Sequence, residues 1–115
     1  KERYERYLEI SGDISSKIDR LQHDTSAQSR LDSILEHPLF SDLMDMGERI
    51  VPFIIHHMTH EGAGWHHLLL LAHITGERPW AADHAGRFYS QVGSWLLWYD
   101  QNIERFHDDI YHGLL

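Results

Sequence analysis

His56 and His60 stand four residues apart, and His66 and His73 seven apart, in a stretch holding six of the chain's 11 histidines. Four residues bring two side chains to the same face of a helix, so the first pair could chelate one ion. If the stretch folds as two helices joined by a tight turn, His60 and His66 both lie near that turn. The metal reading is therefore a site for Zn or another divalent metal built from His56, His60, His66 and His73, with Glu61 close by. The plainer reading is a set of solvated or hydrogen-bonded histidines. Their ordinary pKa of roughly 6.5 makes the charge of the chain pH-sensitive in either case. Full protonation would take it from −8 to +3.

Other chemistries find little support. The absence of cysteine removes disulfides and thiolate ligands. No serine stands in a recognisable nucleophile elbow, and Gly62-Ala63-Gly64 lacks the lysine and spacing of a phosphate loop. The His23–Asp24 and His107–Asp108 dipeptides are what chance supplies in a chain this rich in both residues. We expect no catalytic residues and no resident cofactor. A net charge of −8, with basic residues scattered among acids, argues against binding nucleic acid or an anionic membrane. No apolar run reaches membrane-spanning length, and the expected location is cytoplasmic.

The elements that must position these histidines can be read from helical spacing. A chain of 115 residues makes a single domain. Residues 1–22 read as a long helix whose seam of Tyr4, Tyr7, Ile14 and Ile18 steps by threes and fours, as in a coiled coil. That seam could pack on its own domain or pair with a second copy, so Tyr4, Tyr7, Ile14 and Ile18 are candidate interface residues. Gly12 and Ser15–Ser16 suggest a kink. The core helices span 26–100. Thr25 with Gln28 looks like a capping box for a helix over about 26–36, which His37–Pro38 ends. Pro38 opens a third helix, and Gly47 caps it.

Pro52 then opens a helix with Val51, Ile54, Ile55 and Met58 on one face and His56, His57 and His60 elsewhere. The Gly62-Ala63-Gly64 turn is short enough to require an antiparallel partner, a helix over about 65–75 that is apolar on more than half its circumference. Gly76 and Pro79 end it. A further helix spans about 84–100 from an N-cap at Asp83, and Gly86 and Gly93 share a face open to a close neighbour. Residues 101–115 form a tail with one more helical segment. No strand pattern survives, so the fold expected is all-α, a compact multi-helix domain around a central antiparallel hairpin.

The segments HPLF at 37–40, MGERIVPFII at 46–55, WHHLLLLAHITGERP at 65–79 and WLLW at 95–98 together resemble a group of small bacterial all-helical proteins. That group shares an HP…MG…P-I-I…W…I-T-G-x-x-P…G…W-L-x-W pattern and has no established function. The likeness covers roughly residues 33–99. The Gly-x-x-x-Val-Pro helix followed by a second apolar helix also resembles one HEAT-like repeat, which implies stacked hairpins and a partner-binding face. The order His57…Glu61, His73…Glu77 imitates a hemerythrin-like di-iron bundle, but Gly76 separates His73 from Glu77 and breaks the shared face.

The function expected from these readings is a non-catalytic protein-interaction or regulatory module. Its suggested setting is as an accessory of a bacterial toxin–antitoxin or phage-defence system. Trp80 and Trp98 join the N-terminal seam as candidate interface residues, with a protein partner or a homodimer through the first helix. The alternative is a His-based metal-binding protein or metal-dependent hydrolase.

Overall fold

In the computed structural model, residues 2–26, 31–79 and 87–108 are described, and every regular element among them is helical. The fold is all-α. The elements are α1 (Glu2–Thr25), α2 (Asp32–Glu36), α3 (Pro38–Met46), α4 (Val51–Glu61), α5 (Trp65–Thr75), α6 (Phe88–Gln101) and α7 (Ile103–Asp108). A 3-10 turn, Gly47–Ile50, joins α3 to α4. Among the described residues no helix is long and apolar enough to cross a membrane.

The α4–α5 hairpin sits at the centre, as the apolar circumference of its second helix requires. α5 packs against α1, α3, α4, α6 and the 3-10 turn. Leu68, Leu70 and Leu71 are buried from different sides, so α5 has no solvent stripe wide enough to give it a strong amphipathic signature. Gly76 ends it in the left-handed conformation at φ 72°, where a side chain would be strained, and its N–H donates to the carbonyl of Ala72.

α1 lies along the hairpin and α3. Ile14, Ile18 and Leu21 are wholly buried in the domain's own core, and Tyr7 packs its ring against Phe53 at 5.4 Å. The seam of the first helix therefore belongs to the monomer: Ile14 and Ile18 are not interface residues. The Tyr4 side chain lies outside the described residues. α1 also runs unbroken through Gly12, Ser15 and Ser16, and continues to Thr25. Thr25 is not the start of the next helix. Its hydroxyl donates back to the carbonyl of Leu21, 2.7 Å away, within α1, and among the described residues the second helix is α2, Asp32–Glu36. Gln28 lies outside the described residues.

The other edge of the core is aromatic. Trp98 stacks edge-on against Trp95 and packs against Phe106 of α7, while the Arg105 guanidinium lies over its ring and pairs with Glu48. Trp98 is buried, which corrects its expected place at an interface. The helical spacing that seemed to put it off the apolar face did not include α7, which covers that flank. Trp80, Asp83 and Gly86 lie outside the described residues. The second glycine of the expected pair, Gly93, has no atom of the described residues within 4 Å of where a side chain would begin.

Candidate functional site

Three of the hairpin's histidines, His57, His66 and His67, are inside the protein rather than on its flanks. His57 of α4 and His67 of α5 are buried, and their rings meet with centroids 5.0 Å apart. His57 lies three residues after Ile54 and one before Met58, so it shares the inward face of α4. His67 is the third residue of α5, directly after the tight turn, where the hairpin brings it against His57.

The hydrogen bonds of this pair run in one direction. The Gly64 N–H, which can only donate, points at His67 Nδ1 across 3.0 Å. That nitrogen must hold a lone pair, so the His67 proton is on Nε2. His67 Nε2–H then donates to His57 Nδ1 at 2.8 Å, and His57 Nε2–H donates to Asp19 Oδ1 at 2.7 Å. The result is a chain from the α5 N-terminus through two imidazoles to a carboxylate on α1. Asp19 is 65% exposed, so the chain opens to water only at its acidic end.

His66 completes the cluster. Its ring lies 4.0 Å from that of His67, centroid to centroid, and is buried, with no hydrogen-bond partner at Nε2 among the described residues. A Cβ on Gly64 would come within 2.6 Å of two ring atoms of His66. Gly64 itself has extended backbone angles open to any residue, so the imidazole, not the turn, is what requires glycine there. Burial, with His57 next, lowers the His66 pKa to about 4. Burial, followed by His66 and His57, lowers that of His67 to about 3. Both are held neutral at physiological pH.

A shorter version of the same device lies five residues further along α1, at its C-terminal end. The Leu39 N–H donates to His37 Nδ1 at 3.0 Å, so His37 caps α3 and keeps its proton on Nε2, which donates to Asp24 at 2.9 Å. That bond holds the Asp24 carboxyl below its ordinary pKa, with Arg20 adding to the effect. Asp19 and Asp24 thus fasten α1 to the first turns of two different helices through histidine.

Comparison with protein families, with curated proteins and with solved structures returns no match to this chain. The site must be interpreted from its chemistry alone.

That chemistry is closed. A metal on His67 Nε2 would displace its proton while Gly64 still occupies Nδ1, leaving an imidazolate, so the buried pair is a poor ligand set. Every ring nitrogen of His57 and His67 already has a partner, and among the described residues none of those partners is a serine or cysteine. The four expected metal ligands are not brought together. His66 is interior, His56 and His60 are on the outer side of α4, and His73 is exposed on α5 beside Phe40. Among the described residues no group of three His, Asp or Glu side chains could hold a metal ion. Sequence spacing missed the Asp19–His57–His67 chain because its members are 38 and 10 residues apart. The one available signal was His57 at helical spacing from Ile54.

Proposed function

We propose that this chain is a non-catalytic protein-interaction module that engages a partner protein through the outer face of α6. The observation that carries this reading is the exposure of Tyr89, at 84%, and Leu97, at 59%, on the same side of one helix. Residues eight apart lie about 80° apart around a helix, on one broad side of it, and Gly93 between them leaves the backbone open to close approach. α6 packs chiefly on α5, so this face has no cover from the described part of the chain. An exposed tyrosine and an exposed leucine on one side of a helix are suited to anchor a protein contact.

The closed histidine chain supports the same reading, since its nitrogens hold helices together rather than face a substrate. Two surface grooves, one of about 380 Å³ against α1 and α3 and one of about 280 Å³ against α1, α4 and α6, are lined by other residues. A cytoplasmic accessory of a bacterial toxin–antitoxin or phage-defence system belongs to this proposal as its setting. A homodimer through α1 would have to use that helix's outer face, because Ile14 and Ile18 are occupied.

The test is site-specific photocrosslinking from position 89 in the native host. One dominant adduct, lost in a Leu97→Asp variant that keeps its thermal stability, is the expected result. Equal labelling from position 89 and from a polar site such as Glu9 would overturn the α6 surface, and an adduct of the chain with itself would make the partner a second copy.

A further inference from the structure

The histidines sort into two classes by which nitrogen holds the proton. In the inward-tied class, half-buried His37 and buried His67 accept a backbone N–H at Nδ1, and their Nε2 protons are taken up by Asp24 and His57. The outward class is reversed. His60 Nδ1 lies 3.0 Å from the carbonyl oxygen of His56, which can only accept. His60 therefore carries its proton on Nδ1 and presents a lone pair at Nε2. This is the tautomer a metal ligand needs, with a backbone carbonyl on the distal nitrogen to hold the ring.

His56 stands one turn earlier on the same face. The two rings are stacked with centroids 4.0 Å apart and planes 26° from parallel, and both side chains are exposed. Their rotamers already place both rings side by side on the surface, and an ion has only to turn the two Nε2 lone pairs toward one point. The strongly acidic chain adds a general attraction for cations. We propose that His56 and His60 form a surface chelate for a borderline divalent transition-metal ion, with water in the remaining positions. Imidazole nitrogens favour copper(II) over nickel(II) and zinc(II), and disfavour magnesium and calcium. His73 has the same tautomer, with Nδ1 2.8 Å from the Leu69 carbonyl, but packs its ring against Phe40 without a second histidine. It supplies an internal control.

The experiment titrates the untagged full chain at pH 7.5 with copper(II), nickel(II), zinc(II) and magnesium by calorimetry, with copper(II) electron paramagnetic resonance to count bound nitrogens. One ion per chain is expected, in the order copper, then nickel or zinc, with no heat from magnesium and two nitrogens in the copper spectrum. His56→Ala and His60→Ala should each weaken binding by at least the roughly 10–100-fold that loss of an outer-shell partner costs. His73→Ala should leave it unchanged. All three positions are exposed, and unchanged thermal midpoints without metal confirm that the variants fold. No stoichiometric binding, or binding that survives both His56→Ala and His60→Ala, overturns the site.

Discussion

The proton between His67 Nε2 and His57 Nδ1, 2.8 Å apart, belongs to His67, because the Gly64 amide donates to the other nitrogen of that ring. A backbone group at the start of one helix thereby orients a side-chain chain that ends on another, at Asp19. The arrangement fastens three helices, and its directionality makes the consequences of breaking each link unequal.

Breaking the buried link should cost more than breaking the exposed one. His57→Leu strands the His67 Nε2–H in the interior, at a cost of about 1–3 kcal/mol. Asp19→Ala leaves the His57 Nε2–H where water can reach it, and should cost less than about 1 kcal/mol. Urea unfolding of the two variants gives the order directly, and a larger loss for Asp19→Ala would contradict the assigned direction.

Acid should destabilise the fold well above the carboxylate range. The folded pKa values of His66, about 4, and His67, about 3, lie below the unfolded value of roughly 6.5. For a depressed histidine the unfolded chain binds the extra proton, so stability is full above pH 6.5 and falls as pH drops toward the folded values. At pH 5 the two together remove about 4 kcal/mol, a large part of the 5–15 kcal/mol typical of a domain. His66→Leu should remove about half of that pH dependence in thermal or urea unfolding between pH 7.5 and 5. A flat profile in the parent chain would show that the two rings are not held neutral.

Gly64→Ala tests the ring against the backbone. The added methyl meets the His66 imidazole at 2.6 Å and should destabilise by about 1–3 kcal/mol. Combining it with His66→Ala should cost less than the sum of the two changes, because the clash is gone. Gly12→Ala, in open space on α1, should instead stabilise by about 0.5–1 kcal/mol. Additive losses in the double variant would place the requirement for glycine elsewhere.

Trp98 and Tyr89 should respond in opposite ways to truncation. Trp98→Ala opens a hole between Trp95 and Phe106 and should cost about 3–5 kcal/mol. Tyr89→Ala removes a ring already in water and should change stability by no more than about 0.5 kcal/mol. Chemical denaturation separates them, and only the Tyr89 variant should retain full stability while losing a partner.

The all-α class and the limits of most helices were legible in the residues because their causes are local. Pro38 and Pro52 open helices, Gly76 closes one, and the His37–Pro38 pair separates α2 from α3. Thr25 was misleading for a local reason too: its hydroxyl can cap the helix ahead or bond to the turn behind, and the buried Leu21 carbonyl wins. The seam of α1 was legible as apolar, but its partner was not, since Ile14 and Ile18 would look the same packed in a core or in a dimer.

The histidines divide along the same line. Sequence alone determined that the hairpin carries them and that His56 and His60 share a helix face, because that relation depends only on helical geometry. It could not determine which of them are buried, because α5 is apolar nearly all round and its own pattern selects no inward side. Only the tertiary structure decided that, by packing neighbours on several sides of α5 and bringing Asp19 over the turn. Once there, a single amide proton at Gly64 sets the direction of the His67–His57–Asp19 chain, while His56 and His60 face outward by their place on α4.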